Sequence, residues 1–179
     1  MAELIELLDE NGCMVGAIDR GIAHKTGAWH KTIHAWIIND RGEILLAQRS
    51  NQKSFYPSKW DCSFAGHVDF EETSIECAIR EGKEEIGIEL TPSDFEYLLT
   101  FKDYLTYGEK FCNQFADVFL IRKNINIDQL TFSQDEVEAV KWVKIEKFLD
   151  EILSKKGNYL FHGEEEYKTL QSVLQPKMI

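Results

Sequence analysis

The sequence predicts an α+β fold in which a mixed β-sheet packs against two or three helices. Three observations lead to this prediction: β-rich apolar segments occur in both halves of the chain, helical patterns lie between and after them, and no repeat, linker or low-complexity stretch interrupts the 179 residues. Because 44% of the residues are hydrophobic, the chain can bury one sizeable core. We therefore expect residues 1–179 to form a single domain.

The first 28 residues predict a small N-terminal β-hairpin and a loop ahead of the main sheet. Residues 3–8 and 14–18 are short apolar segments joined by an acidic Asn-Gly turn, a composition typical of a hairpin. Residues 19–28 combine Gly, His, Lys and Thr without periodicity, and we interpret them as a loop. Residues 29–39 and 43–48, separated by an Asp-Arg-Gly turn, then predict two adjacent antiparallel strands.

A loop and a short strand are predicted to lead into the central helix. Residues 50–59 contain a proline and several polar side chains, and we interpret them as a loop. Residues 60–65 predict a short strand that runs into a glycine turn. In the helix that follows, Thr73 and Glu76 have capping-box spacing, and Gly87 stands where a helix commonly ends.

The second half of the chain predicts a long hairpin, one more strand and two helices. The hairpin segments are rich in aromatic residues and turn about Gly108 and Glu109. The predicted elements, in order, are hairpin strands at 95–107 and 110–121, a strand at 139–143, and helices at 145–153 and 164–174. The last helix should end near Pro176, because proline cannot continue a helix.

The central helix predicts a site for a divalent cation. Four small or apolar residues share the face that should contact the core: Ile75, Ile79, Gly82 and Ile86. A neighbouring face carries Glu81, Glu84 and Glu85, whose like charges repel one another at this spacing. A cation among the three carboxylates would remove that repulsion, and Mg²⁺ prefers oxygen ligands.

Residues 66–88, which read GHVDFEETSIECAIREGKEEIGI, resemble the Nudix box, G-x5-E-x7-R-E-U-x-E-E-x-G-U, where U is a bulky aliphatic residue. The chain fills eight fixed positions of this pattern: Gly66, Glu72, Arg80, Glu81, Glu84, Glu85, Gly87 and Ile88. Gly82 departs from the pattern because it stands at an aliphatic position, where it would allow close packing or weaken the helix. The resemblance implies the Nudix fold, an α/β/α sandwich with the box as a loop-helix-loop.

The resemblance also implies a metal-dependent pyrophosphohydrolase that cleaves a nucleoside diphosphate linked to a further group. In such an enzyme Glu81, Glu84, Glu85 and the backbone carbonyl of Gly66 would ligate Mg²⁺ or Mn²⁺, and Arg80 would orient a neighbouring glutamate. A divalent metal suits this reaction because it neutralises the anionic phosphates and activates water. In addition, Glu72 lies just before the helix, where it could pair with Arg80, reach the metal through water or stabilise the helix N-terminus by its charge.

The general base and the phosphate contacts are less closely defined. The base is either a box glutamate or a carboxylate from a later loop or strand, for which the candidates are Glu109, Asp117, Asp135 and Glu136. An acidic chain that binds diphosphate needs a local positive anchor, and Lys31, Arg49 and Lys59 are the basic residues best placed near the box. We prefer Arg49 as the phosphate contact, with Lys59 and His67 as further substrate-binding candidates.

The segments flanking the box resemble the branch of this family that includes isopentenyl diphosphate isomerase. The resemblance covers residues 7–90 and rests on these groups: His24, 29–34, 48–50, 56–61 and 65–67. In that isomerase three histidines and two glutamates hold a metal, and His24, His30 and His67 stand at the histidine positions. We interpret these histidines as residues of the fold or of the substrate pocket, with metal binding as the alternative.

The groups that move protons in the isomerase are replaced in this chain. Where the isomerase has its catalytic cysteine, this chain has Ala65. Where the isomerase has a Glu-x-Glu, this chain has Cys112 and Gln114, so a neutral glutamine replaces the acid. We expect Cys62 to point away from the strand face of Ala65 and to be a small buried hydrophobe. The complete box favours a hydrolase, while isopentenyl diphosphate isomerase and a non-catalytic nucleotide-metabolite sensor are the alternatives.

Composition and charge limit the expected partners and location. A net charge of −11 argues against binding to a nucleic-acid polymer, so the expected partner is a small-molecule diphosphate. No apolar run approaches the roughly 20 residues that span a membrane, and residues 1–9 are too acidic and short for a signal peptide. The four cysteines lack CxxC spacing, and we expect reduced thiols and a cytoplasmic location. Neither the substrate nor the oligomeric state follows from the sequence.

Overall fold

A computed structural model describes residues 3–174, and within them nine strands form one mixed sheet accompanied by four α-helices. The strands are β1 (Leu4–Leu8), β2 (Met14–Asp19), β3 (His30–Ile38), β4 (Glu43–Arg49), β5 (Trp60–Asp61), β6 (Phe64–His67), β7 (Phe95–Tyr107), β8 (Lys110–Arg122) and β9 (Val137–Lys144). The helices are α1 (Arg20–Thr26), α2 (Ser74–Ile86), α3 (Ile145–Leu153) and α4 (Glu164–Leu174). Pro176, the predicted end of the last helix, lies outside the described residues.

The third strand, β3, is the centre of the sheet. β8 runs parallel to β3, from the pair of His30 and Gln114 to the pair of Ile38 and Arg122. β3 also pairs antiparallel with β1, β6 and β4, which confirms the predicted adjacency of β3 and β4. β7 extends the sheet beyond β8, while β4 pairs in addition with β5 and β9.

Helices cover both faces of this sheet. On one face α2 buries Cys77, Ala78 and Ile86 in a hydrophobic cluster with β3, β4 and β8. On the other face α3 and α4 bury Phe148 and Tyr167 in a second cluster with the same strands. Burial of each such large apolar side chain contributes about 1.5–3 kcal/mol. The sheet therefore lies between two helical layers, which confirms the predicted α+β fold and its sandwich arrangement.

The caps and the core face of α2 agree with the predictions from the sequence. The Thr73 hydroxyl accepts a hydrogen bond from the Glu76 backbone N–H at 3.2 Å, and the Glu76 carboxylate accepts one from the Thr73 N–H at 2.9 Å. Gly87 ends the helix with a left-handed φ of 69°. Gly82 is buried, and a Cβ there would lie 3.2 Å from side-chain atoms of three residues, Phe64, Ile88 and Leu90. Close packing therefore explains the glycine at this position of the box.

The prediction of a loop over residues 19–28 was wrong, because Arg20–Thr26 forms α1. Asp19 caps its N-terminus by accepting a hydrogen bond from the Ile22 N–H at 3.1 Å, and Gly27 ends it with a φ of 72°. Seven residues span only about two turns, which is too short for an apolar periodicity to emerge. In the sequence, only the N-cap residue Asp19 and the C-cap residue Gly27 indicated this helix.

The single strand predicted over residues 60–65 is divided into β5 and β6. At the break, the Ser63 hydroxyl donates to the Leu45 carbonyl at 2.7 Å and accepts from the Ile37 N–H at 2.9 Å. Cys62 is buried, as predicted, but it packs in the same hydrophobic cluster that Ala65 contacts. The prediction that Cys62 and Ala65 point to opposite faces was wrong. It assumed that side chains alternate along one uninterrupted strand, and the strand is broken between these two residues.

The remaining elements lie close to their predicted bounds. β7 and β8 form the predicted hairpin, closing with the pair of Tyr107 and Lys110, and β9 is longer at both ends than predicted. The four cysteines, Cys13, Cys62, Cys77 and Cys112, are free thiols. Over residues 3–174, every helix is too short or too polar to cross a membrane.

Candidate active site

A cavity of about 250 Å³ is lined by residues of α1, α2, several strands and the loop that follows β4. α2 supplies its acidic wall, which contains Glu81, Glu84 and Glu85. The end of β4 and the loop after it supply Arg49 and Lys53. Carboxylates and cationic side chains therefore share one cavity.

Arg80 connects the carboxylates of the acidic wall. Its guanidinium group donates through Nη1 to Glu81 at 2.8 Å and to Glu84 at 3.3 Å. Through Nε and Nη2 it donates to both oxygens of Glu72, each at 2.9 Å. These bonds raise the pKa of Arg80, and they outweigh the effect of burial to lower the pKa of Glu72. The pairing of Glu72 with Arg80 that the sequence suggested is present.

Glu85 is a nearly buried carboxylate of the acidic wall. Its side chain is 12% exposed, it accepts a hydrogen bond from the Ala65 N–H at 3.3 Å, and it lies 3.8 Å from the Lys53 ammonium. Burial raises the pKa of Glu85 to about 7 and also raises the pKa of Glu81. Burial therefore makes the ionised form of these carboxylates costly, and a bound cation would offset that cost.

The residues of this wall fit a divalent metal ion. The Glu81 carboxylate lies so close to Gly66 that a Cβ at residue 66 would collide with it, which explains the glycine. Glu81, Glu84 and Glu85, with the nearby backbone of Gly66, offer oxygen donors only. Oxygen donors are the ligands that Mg²⁺ and Mn²⁺ prefer.

The structure changes the set of basic residues at the site. Lys53 lines the cavity, where it donates to Glu136, and burial lowers its pKa. Among residues 3–174, the cavity lining includes neither Lys59 nor Lys31, and Lys31 instead pairs with Asp117 at 3.1 Å. The sequence of the 50–59 loop showed several polar side chains but no periodicity to indicate which of them point inwards.

Arg49 lines the cavity with its guanidinium group held in place. Its Nε and Nη2 donate to the Phe55 carbonyl at 3.1 and 3.0 Å, and Nη1 donates to Asp61 at 3.2 Å. These contacts use three of the five N–H groups of a guanidinium. Two N–H groups are therefore available for an anionic ligand.

Of the four candidate bases outside the box, Glu136 alone appears in the cavity lining formed by residues 3–174. Asp117 accepts hydrogen bonds from Ser74 at 2.6 Å and Thr100 at 2.5 Å. Glu109 and Asp135 are outside the lining. The structure thus brings Glu136 together with the box glutamates, a proximity that sequence spacing could not show.

The three histidines matched to the isomerase lie together beside the acidic wall. His24 Nε2 is 3.0 Å from His67 Nε2, and His30 Nε2 is 3.5 Å from Cys112 Sγ. All four residues offer a ligand atom within 4.8 Å of the others, so this group could hold a metal ion. Burial lowers the pKa of His24 and of His30 to about 4, and that of His67 well below its usual value, which keeps the imidazoles neutral.

A buried polar network forms the inner end of the cavity. His162 Nε2 lies 3.0 Å from Asp61, and its Nδ1 lies 2.7 Å from Asp103. Gln114 donates to the same Asp103 carboxylate at 3.0 Å and lies 3.3 Å from His34 Nε2. Sequence reasoning gave no role to His162, Asp61 or Asp103, because they come from distant parts of the chain. Of the three, only Asp61 lies in a segment, residues 56–61, that carries the resemblance to the isomerase branch.

A sandwich fold with a glycine-anchored helix of carboxylates defines a Nudix domain. A family model described as NUDIX domain matches residues 28–162, and the chain belongs to that family. Together with the Nudix hydrolases among its relatives, this family membership identifies the chain as a Nudix pyrophosphohydrolase, with Glu81, Glu84 and Glu85 of the box in one cavity.

Three known proteins illustrate the similarity. The chain is 35% identical over 152 residues to Nudix hydrolase 3 of Arabidopsis thaliana, covering 82% of this chain but only 20% of that longer protein. It is 28% identical over 146 residues to isopentenyl-diphosphate Delta-isomerase of Shigella boydii, covering 78% and 76% of the two chains. A crystal structure of a Deinococcus radiodurans protein superposes with a TM-score of 0.69 at 21% identity, covering 94% and 98%, which shows a shared fold.

Proposed function

We propose that this protein is a divalent-metal-dependent hydrolase that cleaves a diphosphate linkage in a nucleoside diphosphate-type substrate, a nucleoside di- or triphosphate or a nucleoside diphosphate linked to a further group. Water attacks at phosphorus. The observation that carries the proposal is the convergence of Glu81, Glu84 and Glu85 with Arg49 and Lys53 in one cavity. Diphosphate hydrolysis requires such a pairing of metal-holding carboxylates with phosphate-binding cations.

The acidic wall would hold Mg²⁺ or Mn²⁺ through Glu81, Glu84, Glu85 and the Gly66 carbonyl. When bound, the ion supplies neutralisation of phosphate charge and activation of water. Arg80 orients Glu81 and Glu84 by its hydrogen bonds. Removal of Arg80 would therefore disorder the metal ligands.

Arg49 and Lys53 bind the phosphate oxygens in the same cavity as the acidic wall. Arg49 presents a guanidinium held by Phe55 and Asp61, so little conformational entropy is lost when phosphate binds. Lys53 lies between Glu85 and Glu136 and neutralises part of their charge. Glu136 and Glu85 are the carboxylates that can accept a proton from the attacking water, since both line the cavity. Of the two, Glu85 has a pKa that burial raises to about 7 in the metal-free protein.

His67 contributes a neutral imidazole to the cavity next to the box. Because its pKa is low, it offers a hydrogen bond without adding positive charge, which suits a contact to the uncharged part of a substrate. His24 fixes the orientation of the ring through the 3.0 Å contact between their Nε2 atoms.

A panel assay tests this proposal. Phosphate and nucleoside monophosphate release is measured from nucleoside di- and triphosphates, nucleotide sugars and dinucleotides, each titrated with Mg²⁺ and Mn²⁺. We expect metal-dependent turnover of at least one class. Absence of turnover on every substrate, combined with metabolite binding that is unchanged in Glu84→Gln, would instead identify a sensor.

The isomerase is a second candidate because the chain is similar to isopentenyl-diphosphate Delta-isomerase and assembles His24, His30 and His67 in one group. Ala65 and Gln114 both line the cavity, so the positions of the two proton-transfer groups face the site but carry side chains that cannot transfer protons. Burial raises the pKa of the Cys112 thiol to about 12, which keeps it protonated. These observations favour hydrolysis.

A further inference from the structure

A chain of buried hydrogen bonds runs from the phosphate-binding side of the cavity to the segment before α4. Arg49 donates to one oxygen of Asp61 at 3.2 Å, and His162 contacts the other oxygen at 3.0 Å. The second ring nitrogen of His162 contacts Asp103 at 2.7 Å. Asp61, Asp103 and His162 are each at most 8% exposed, so these contacts lie out of water.

The ring of His162 carries positive charge between the two carboxylates. Burial alone would lower the pKa of His162, but Asp61 and Asp103 together raise it well above its usual value. The pKa of Asp61 is lowered, against the effect of burial, by His162 and then by Arg49. Asp61 is therefore an ionised carboxylate shared by two cations.

This sharing determines how strongly Asp61 attracts Arg49. With His162 present, one Asp61 oxygen is occupied by the imidazolium, and the contact to Arg49 is a single hydrogen bond. Without His162, the Oδ1 atom of Asp61 would keep the hydrogen bond from the Cys62 N–H at 2.8 Å, and Arg49 would remain as the cationic hydrogen-bond partner of the carboxylate among residues 3–174. A tighter pair of Asp61 with Arg49 would then draw the guanidinium away from the cavity and offset more of the positive charge that a phosphate needs.

We propose that His162 is a positioning residue for phosphate binding: it holds Asp61 and thereby keeps the guanidinium of Arg49 oriented towards the cavity. The inference rests on the proposed function in so far as Arg49 binds the phosphates of the substrate. It assigns a role to a residue that lies outside the box and far from Arg49 in sequence.

A double-mutant cycle with a non-hydrolysable probe tests the inference. The probe is methylenediphosphonate with Mg²⁺, and its Kd is measured by calorimetry for the wild type, His162→Gln, Arg49→Gln and the double variant. We expect His162→Gln to weaken binding about tenfold, the scale of one charge-assisted hydrogen bond. In the Arg49→Gln background the same change should have no further effect, because both substitutions remove one interaction.

Glu166→Gln is the matched control for disruption of buried polar contacts. Glu166 is fully buried and accepts hydrogen bonds from Trp36 at 2.8 Å and His34 at 3.1 Å, but it does not contact Asp61 or Arg49. We expect its variant to lose stability in thermal unfolding and to bind the probe like the wild type. Loss of probe binding in this variant would show that general disruption explains the His162 effect, and would overturn the inference.

If the His162→Gln variant does not fold, Asp61→Asn tests the same coupling between His162 and Arg49, because Asp61 lies between them. It should weaken binding of the probe and be non-additive with Arg49→Gln. Unchanged binding in either single variant, effects that multiply in the double variant, or a wild type that does not bind the probe would overturn the inference. In contrast, a wild type that binds the probe with the expected non-additivity but hydrolyses no diphosphate would contradict only the proposed function.

In turnover assays with a substrate found by the panel, the positioning role predicts that loss of His162 changes KM but not kcat. His162→Gln should raise KM about tenfold and leave kcat within about threefold, because the metal-holding carboxylates are untouched. A fall in kcat at unchanged KM would contradict the role.

Discussion

Glu84 and Glu85 represent two extremes of burial within one group of carboxylates. The Glu84 side chain is 58% exposed, whereas that of Glu85 is 12% exposed and lies against Ala65 and Lys53. Both belong to the wall that fits a divalent metal, so their charge matters more than their contribution to packing.

We expect Glu84→Gln and Glu85→Gln each to lower kcat by about two or more orders of magnitude, the scale of losing a charge-stabilising group. Initial rates at saturating Mg²⁺ measure the effect. Glu89→Gln is the control, because Glu89 is 79% exposed and its contact is with Lys83 rather than the cavity. Near-normal rates in the Glu84 and Glu85 variants would remove these residues from the metal site.

The raised pKa of Glu85 predicts a pH dependence of stability in the metal-free protein. Its pKa is about 7 in the folded state against 4.5 as the ordinary value, so the folded state binds the proton more tightly than the unfolded state. Its contribution to stability is present below pH 4.5 and is lost as the pH rises through 7, by about 3 kcal/mol in total.

Urea unfolding of wild type and Glu85→Gln, both in EDTA, between pH 5 and pH 8 measures this dependence. Glutamine imitates the protonated acid, so the variant should gain stability relative to the wild type as the pH rises. A difference between the two proteins that stays constant over this range would contradict the assignment.

At the scale of elements, the loop between β4 and β5 decides which cations reach the substrate. Lys53 and Lys59 both lie in this loop, but only Lys53 belongs to the cavity lining found within residues 3–174. α1 has a comparable role, since it brings His24 to the cavity at 3.0 Å from His67. Short connecting elements thus contribute directly to the site.

We expect Lys53→Ala to raise KM for a diphosphate substrate about tenfold, because one phosphate-binding charge is lost. Lys59→Ala should leave KM within about twofold, and it serves as the matched control from the same loop. Steady-state kinetics at fixed Mg²⁺ compares the two variants. An effect of Lys59→Ala as large as that of Lys53→Ala would show that the loop closes differently around substrate.

At the scale of the whole molecule, the sheet brings distant segments to the same cavity as the acidic helix α2. Ala65, Cys112 and Gln114 reach the cavity from β6 and β8, which lie on either side of β3. The similarity to the isomerase predicts proton-transfer groups at residues 65 and 114, where this chain carries alanine and glutamine.

Incubation of the protein with isopentenyl diphosphate in heavy water distinguishes the two reactions. We expect no deuterium to enter dimethylallyl diphosphate, because no side chain at residue 65 or 114 can exchange a proton with the substrate. Mass spectrometry of the recovered diphosphates measures incorporation, with a known isomerase as the positive control. Deuterated dimethylallyl diphosphate would replace the hydrolase proposal by the isomerase.

Local spacing predicted the elements whose signals lie within one segment. The capping box of Thr73 and Glu76, the stop at Gly87 and the hairpin about Gly108 are contacts between neighbours in sequence, so short-range geometry determines them. α1 was missed because seven residues give too little periodicity, and the break at Ser63 depends on hydrogen bonds to β3 and β4.

The sequence by itself determined the fold class, the phase of α2 and the carboxylates that face the candidate metal site, since all of these follow from regular backbone repeats along single elements. Only the tertiary structure decided that Lys53 rather than Lys59 lines the cavity, that Glu136 lies beside Glu85, and that His162 shares Asp61 with Arg49. These contacts join residues far apart in sequence, and the packing of the whole sheet and its helices determines which of them meet.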